Sequence, residues 1–220
     1  MDGFFTRELE INSKTLTFYQ KEIGDVSCVV WDAALVLSKY LERRYNNNDK
    51  LCLKEKSILE LGAGLGCVGL TAACLGAQVM MTDLPEVMPL LEMNIEMNRQ
   101  VWSSCGGKAH SQVLQWGADV NDSFKTPDII LLADCVYYEE SVEPLVKTFR
   151  AMASTSTEII ISQEERDTDK QRHVWQNFEQ ELLKYFEVTK IPEQQQHPDY
   201  CSPDIVVLHA IKKVADIPKM

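Results

Sequence analysis

The sequence lacks the cysteine pairs and grouped histidines that build zinc sites and disulfide frameworks. Its 7 cysteines are scattered without a Cys-x-x-Cys pair, and its 4 histidines are isolated from them and from one another. An odd, scattered set of cysteines indicates free, mostly buried thiols in a reducing compartment. We therefore expect no metal ion and a cytoplasmic protein, with the nucleus as the other compartment that suits these thiols.

Long hydrophobic runs are also missing. The first residues are acidic and contain no long apolar core, and no later segment has the roughly 20 apolar residues that a membrane helix needs. We expect neither a targeting leader nor a membrane anchor.

Positive charge is scarce as well. The chain has 22 Lys and Arg residues against 33 Asp and Glu residues, for a formal net charge of -11. Nucleic-acid binding requires basic surface, so we do not expect a nucleic-acid partner. An acidic surface suits a basic patch on a partner protein.

Length and patterning indicate one domain over residues 1–220, with an N-terminal extension at 1–24 and a core at 25–213. In the extension, apolar and polar residues alternate from Phe4 to Gln20 on either side of Asn12-Ser13-Lys14, which predicts a hairpin. From Trp31 to Leu41 apolar residues have helical spacing, with Asp32 placed to cap the helix.

After that helix, short β-rich runs alternate with longer helical patterns, which is typical of an α/β layered fold. The predicted strands are Ser57–Leu61, Gln78–Thr82, Ala109–Leu114, Asp128–Ala133, Glu158–Ser162, Phe186–Lys190 and Ile205–Lys212. The predicted helices are Cys67–Cys74, Glu86–Arg99, Ser141–Ala153 and Lys170–Tyr185. The run at 129–133 is apolar throughout, as expected of a parallel strand that helices cover on both faces.

The first of these strands ends in Glu60 and a glycine loop with the sequence Gly62-Ala63-Gly64-Leu65-Gly66. Glycines at that spacing let the backbone turn tightly and approach a ligand. A carboxylate beside them would oppose a phosphate but would favour a cation such as S-adenosylmethionine (SAM), which carries an ammonium and a sulfonium. We therefore expect Glu60 and the loop carbonyls to bind the methionine ammonium.

The next strand ends point to the rest of a nucleoside. Asp83 ends the second strand, where a carboxylate can accept hydrogen bonds from both ribose hydroxyls. Trp116 follows the third strand and could stack on adenine. A dinucleotide is the competing ligand, because the residues from Gly64 to Gly69 also fit G-x-G-x-x-G. Glu60 and Asp134, with no arginine near either, weigh against a pyrophosphate there.

Together these motifs resemble the methyltransferase-like 21 family of seven-β-strand methyltransferases over most of the chain. The motifs are Val30–Ala34, Glu60–Gly66, Thr82–Leu84, Leu114–Gly117 and Ala133–Tyr138. The resemblance implies a seven-stranded Rossmann-like sheet whose last strand inserts antiparallel. With the residue-based inferences above, the expected SAM-binding residues are Trp31, Glu60, Gly62, Ala63, Gly64, Asp83, Leu84, Trp116 and Ala133.

The acceptor side follows the fourth strand, where Asp134-Cys135-Val136-Tyr137 matches the family's Asp-x-x-Tyr pattern, a hallmark of protein-lysine methylation. A lysine with a pKa near 10.4 needs roughly 4 to 5 kcal/mol to arrive as a neutral amine at pH 7. A carboxylate and a tyrosine can orient that amine, so Asp134 and Tyr137 are the predicted catalytic residues. The Asn-Pro-Pro-Tyr tetrad of planar-amine methyltransferases is absent from this position.

The fifth strand is followed by charged residues that we expect on the same rim. Glu164 and Arg166 match a Glu-x-Arg pair in a relative and are either rim contacts or simply exposed charges. Gln163 stands where the resemblance leads us to expect an aromatic residue, which puts the shape of a lysine channel in doubt.

The sequence is therefore interpreted as a SAM-dependent protein-lysine N-methyltransferase that releases S-adenosylhomocysteine. The resemblance implies a protein substrate, either the AAA ATPase valosin-containing protein or a chaperone, and we expect a monomer. Two alternatives remain: a small-molecule methyltransferase and a binding module that keeps the SAM fold without turnover. An NAD-dependent oxidoreductase is the weakest reading.

Overall fold

The computed structural model describes residues 3–24, 26–47, 53–119 and 124–214. The strands are β1 (Phe4–Ile11), β2 (Lys14–Lys21), β3 (Ser57–Leu61), β4 (Gln78–Asp83), β5 (Lys108–Val113), β6 (Ile129–Ala133), β7 (Glu158–Glu164), β8 (Phe186–Lys190) and β9 (Ile205–Lys212). The helices are α1 (Asp32–Asn46), α2 (Cys67–Cys74), α3 (Met88–Met97), α4 (Arg99–Ser104), α5 (Glu139–Met152) and α6 (Asp169–Tyr185). Within this part of the chain, no helix has the length and apolar character needed to cross a membrane.

Seven strands form one sheet in the order β5-β4-β3-β6-β7-β9-β8. The pairs β3–β4, β3–β6, β4–β5 and β6–β7 are parallel, whereas β9 is antiparallel to both β7 and β8. The last strand therefore inserts antiparallel between β7 and β8. The predicted class I methyltransferase sheet, with its antiparallel last strand, is confirmed.

Alternation along the central strands divides the core between the two faces of the sheet. On β6, Ile129 and Leu131 pack into the cluster that includes α1, α2 and α3, while Ile130 and Leu132 pack into the cluster that includes α5 and α6. Helices thus cover both faces, which explains why this strand is apolar at every position. The parallel strands bring their carboxyl ends to one edge of the sheet.

The N-terminal hairpin predicted from residues 4–20 is present as β1 and β2, and it packs into the main core. Its turn residues Asn12 and Ser13 have φ values of 47° and 61°, which suit the right-handed twist of a two-residue hairpin turn. Leu16 and Phe18 are fully buried in the cluster shared with α1 and α2. The hairpin is therefore built into the domain.

Two helix predictions differ from the structure. The helix predicted over 86–99 is divided at Asn98, and the chain continues as α4, which the sequence pattern did not predict. Asn98 exchanges two hydrogen bonds with the backbone of Thr17 on β2, each 2.9 Å long. Asp32 is the first residue of α1 and makes no cap; Trp31 occupies the cap position, and Asp32 pairs with Arg7 at 3.4 Å.

Candidate active site

The carboxyl ends of β3, β4, β6 and β7 place the predicted site residues at one edge of the sheet. The glycine loop leaves β3, Asp83 ends β4, and Asp134 follows β6 directly. Backbone bonds join these ends, since Ala63 donates to the Thr82 carbonyl at 3.0 Å and Asp134 donates to the Ser162 carbonyl at 2.8 Å. The structure therefore brings together at this edge the strand ends that carry the predicted site residues.

The glycine loop needs glycine at Gly62 for two reasons. Its φ of +63° lies in the left-handed region, and a Cβ there would come within 2.6 Å of Cys135 Sγ and 3.1 Å of the Trp116 ring. Gly64 also has a positive φ, of +53°, but the nearest atom to a Cβ there is 3.6 Å away. The loop at Gly62 is packed so closely that only a residue without a side chain fits.

Substitution of Gly62 by alanine is expected to lower SAM affinity about tenfold or more, because the new methyl group must displace Cys135 or Trp116 and distort the loop. Gly106→Ala is the matched control, since Gly106 has a φ of +80° but no atom within 4 Å of the added Cβ. Titration calorimetry with SAM separates the two variants. Equal losses would show that backbone strain, and not the packing at Gly62, is responsible.

Asp83 links the glycine loop to the end of β4. Its Oδ2 accepts the Gly64 N–H at 2.8 Å and its Oδ1 accepts the Leu84 N–H at 2.8 Å. Each carboxylate oxygen has a second lone pair. The side chain is thereby fixed at the position where the sequence predicts a ribose ligand.

Glu60 is more deeply buried than its place before the glycine loop led us to expect. The side chain is only 2% exposed, and its carboxylate accepts the Gly69 N–H of α2 at 3.0 Å. Burial, opposed in part by this hydrogen bond and reinforced by the charge of Asp83, raises the pKa of Glu60 to about 8. At neutral pH the group is mostly protonated, so it does not supply the fixed negative charge expected from the sequence. Its binding of the methionine ammonium stays a prediction.

The remaining predicted cofactor residues border the same loop. The Trp116 ring lies beside Gly62, partly buried against the cluster that contains α5. Leu84 is 41% exposed next to Asp83, and Ala133 ends β6. An aromatic ring and an exposed apolar side chain are both suited to contact an adenine, whose faces are apolar.

Cys135 is a site residue that the sequence analysis missed. Its thiol is buried and lies 3.4 Å from the Gly62 carbonyl and 3.2 Å from the Ala133 carbonyl, so it joins the ends of β3 and β6. Burial and the nearby carboxylates, Asp83 first among them, raise its pKa well above the usual value of 9.0. The thiol therefore stays protonated and acts as a packing group rather than a nucleophile.

Asp134 is the most constrained residue of the site. Its φ of +54° is unusual for a residue with a side chain, and such strain persists only where surrounding contacts enforce it. Those contacts are strong: Arg166 donates to both carboxylate oxygens, at 3.1 and 2.7 Å, and Gln163 donates to Oδ1 at 3.0 Å. The side chain of Asp134 is only 1% exposed.

Arg166 connects Asp134 to Trp31. The guanidinium carbon lies 5.5 Å from the centre of the Trp31 ring, within the range of a cation–π contact, and a guanidinium nitrogen is 3.3 Å from Glu164. Trp31 is in turn held by a 2.7 Å hydrogen bond from its indole nitrogen to the Val26 carbonyl. The rim contact predicted for Glu164 and Arg166 is thus a set of bonds within the protein.

Tyr137 lies three residues beyond Asp134 and is half-buried. Its ring meets Tyr138 edge to face with centroids 4.6 Å apart, and its carbonyl accepts the Gln171 side chain at 3.3 Å. The Asp-x-x-Tyr segment therefore follows β6 directly, and its catalytic role stays a prediction.

A cavity of about 340 Å³ opens beside Glu164. Three carboxylates line it, those of Asp32, Glu164 and Asp204, together with the half-exposed ring of Tyr200. Within the described residues, no group of three or more His, Cys, Asp or Glu side chains is arranged to hold a metal ion.

Comparison with known proteins gives one consistent family. The family described as lysine methyltransferase matches residues 10–181. The chain is 41% identical over 142 residues to the protein N-lysine methyltransferase METTL21A of Xenopus tropicalis, an alignment that covers 64% of this chain and 62% of that protein. It is 34% identical over 169 residues to the EEF1A lysine methyltransferase 3 of the same organism, covering 76% of this chain and 69% of the relative.

Solved structures agree on the fold. The Thermus thermophilus 16S rRNA N2 G1207 methyltransferase RsmC, solved with AdoMet and guanosine, superposes with a TM-score of 0.65 over 97% of this chain and 52% of its own. The two sequences are only 19% identical, so this likeness concerns the fold alone.

Proposed function

The chain belongs to the lysine methyltransferase family, and we propose on that premise that it transfers methyl groups from SAM to a lysine ε-amine of a partner protein, valosin-containing protein. The observation that carries the proposal is the juxtaposition at one sheet edge of a nucleoside-type loop and an acceptor pair. The loop comprises Gly62, Gly64 and Asp83, and the pair comprises Asp134 and Tyr137.

The donor set fits SAM on its chemistry. Asp83 would hold the ribose, Trp116 and Leu84 would border the adenine, and the backbone around Gly62 to Gly64 would lie along the methionine. When bound, SAM supplies an electrophilic methyl group, which the amine nitrogen takes as the carbon–sulfur bond breaks.

The acceptor residues suit an aliphatic amine. Asp134 is buried and fixed, so it can accept an N–H from the incoming amine without reorganising, and Tyr137 can contact the same group. Methyl transfer is an in-line displacement, so the protein's contribution is to hold the nitrogen lone pair toward the methyl carbon. The proton that the lysine must lose goes to solvent at the open rim.

The identity of the partner rests on the sequence resemblance and on charge. A net charge of -11 and the three-carboxylate cavity beside Glu164 favour a substrate whose lysine lies in basic surroundings. One relative's name specifies EEF1A as its substrate, so the choice of valosin-containing protein is a proposal of its own. We place the enzyme in the cytoplasm on the basis of its free cysteines.

Incubation of the chain with radiolabelled SAM and a cell extract tests the proposal. We expect label on protein lysines, identified by mass spectrometry, with valosin-containing protein among the labelled species. Label found only on nucleic acid or on small molecules would contradict lysine methylation of proteins. Tight SAM binding without any label would instead favour the binding module.

A further inference from the structure

Two side chains donate hydrogen bonds to the Asp134 carboxylate. Methyl transfer does not itself require either of them. Arg166 and Gln163 together donate three hydrogen bonds to its carboxylate. A carboxylate offers about four acceptor positions. Among the described residues, therefore, the protein fills three of these acceptor positions.

Both partners are themselves held in place. Gln163 is 1% exposed, and its side-chain oxygen accepts the Val136 N–H at 3.0 Å, so one amide joins the Asp134 side chain to the backbone on the way to Tyr137. Arg166 lies against the Trp31 ring and pairs with Glu164. Neither donor can move without breaking several contacts.

The charge of Arg166 has a direct consequence for an approaching lysine. A buried carboxylate without a counter-charge would stabilise the ammonium form of the lysine and raise its pKa. Methyl transfer requires the neutral amine, whose lone pair is free to attack. A guanidinium bound to both carboxylate oxygens cancels most of the attraction for an ammonium while leaving a hydrogen-bond acceptor.

We propose that Arg166 and Gln163 are positioning residues that neutralise Asp134 and leave it one acceptor position, so that the site receives lysine as an uncharged amine. This inference rests on the proposed function, because it takes the substrate amine to approach Asp134. The nearby titratable and charged groups are Arg166, Glu164, Cys135, Tyr137, Asp83 and Glu60. Among these six groups, Arg166 is the one that is positively charged.

The pH dependence of kcat for methylation of recombinant valosin-containing protein, measured with both substrates saturating, tests the role of the charge, because kcat reports the pKa values of groups in the enzyme–substrate complex. The rate should rise with pH as the substrate lysine loses its proton. In Arg166→Gln the midpoint of this rise is expected to move up by about one pH unit, because Asp134 is no longer neutralised. Arg166→Lys keeps the charge and should keep the midpoint, with a lower kcat.

Gln163→Met separates positioning from charge. It removes the amide bonds to Asp134 and Val136 but changes no charge, so we expect a lower kcat at an unchanged midpoint. If Arg166→Gln does not fold, Asp134→Asn replaces it, and its midpoint should move down because Arg166 is then unopposed. A midpoint that stays at the wild-type value in the folded charge variant would overturn the proposal.

A second readout needs no turnover. With S-adenosylhomocysteine present at pH 7, n-butylammonium chloride should raise the melting temperature of Arg166→Gln more than that of the wild type, with sodium chloride at equal ionic strength as control. Equal shifts would overturn the proposal. The melting experiment uses butylammonium and no protein substrate, so it tests the role of Arg166 independently of the labelling assay. If the wild-type chain leaves valosin-containing protein unlabelled, that result counts against the proposed function and not against this inference.

Discussion

Replacement of Asp134 by asparagine is expected to lower kcat for lysine methylation about 100-fold while SAM affinity stays within about threefold of the wild type. The asparagine amide keeps the shape of the side chain but replaces one acceptor oxygen with an NH2 donor. The remaining oxygen cannot serve both Arg166 and the substrate amine as the two carboxylate oxygens do. Single-turnover methylation measures the chemical step, and calorimetry with SAM measures cofactor binding.

Asp128→Asn is the matched control for that experiment. Asp128 precedes the opposite end of β6, where its carboxylate bonds to Lys56 at 3.0 Å and to Ser57 at 2.9 Å. These bonds lower its pKa, with the Ser57 backbone N–H as the main cause. We expect this variant to lose some stability but to keep kcat. Full activity in Asp134→Asn, or equal losses in both variants, would exclude a role for Asp134 in orienting the amine.

The second large effect concerns the dependence of stability on pH, which Glu60 should dominate between pH 5 and pH 8. Its pKa rises from the usual 4.5 to about 8 on folding, so the folded chain binds a proton that the unfolded chain has released. Stability is therefore complete below the unfolded pKa and falls as pH rises toward 8, by on the order of 4 kcal/mol of unfolding free energy.

Glu60→Gln should remove most of that slope. The glutamine oxygen can still accept the Gly69 N–H, and the side chain cannot ionise. Some slope should remain because burial also raises the pKa of Glu179. Urea unfolding at pH 5.5 and pH 8 measures the difference, with Glu96→Gln as control, since Glu96 is exposed and its pKa is lowered by Arg99. A wild-type slope in Glu60→Gln would show that Glu60 is ionised in the folded chain.

The same glutamate links stability to the predicted binding of the methionine ammonium. If the ammonium lies near Glu60, SAM binding at pH 7 releases a proton from it. Calorimetry in buffers of different ionisation enthalpy detects such a release, and no release is expected in Glu60→Gln. Proton release therefore tests the prediction that Glu60 binds the methionine ammonium.

Much of the fold could be predicted because its signals are local. The strands at 57–61, 186–190 and 205–212 have the predicted bounds, since each is a short run that contains apolar or β-branched residues. The continuation of the chain as α4 after Asn98 was not predicted, and the hydrogen bonds that hold Asn98 join it to Thr17, which is 81 residues away in the chain. No local pattern contains such a contact.

The site shows the same division. Parallel topology brings strand ends together, so the proximity of the glycine loop, Asp83 and Asp134 follows from sequence order alone. The protonation of Glu60 depends on how deeply it is buried, and the pairing of Arg166 with Asp134 depends on the turn after β7. Both are properties of the packed molecule, so the sequence alone could neither show that Glu60 is buried nor decide between a rim contact and an exposed charge for Arg166.

The most direct measurement is methylation of recombinant valosin-containing protein by the purified chain with radiolabelled SAM, followed by mass spectrometry of the labelled peptides. We expect label on lysine side chains with the wild-type chain and loss of nearly all label with Asp134→Ala. Unlabelled lysines in the presence of a chain that binds SAM, or full labelling by Asp134→Ala, would contradict this expectation.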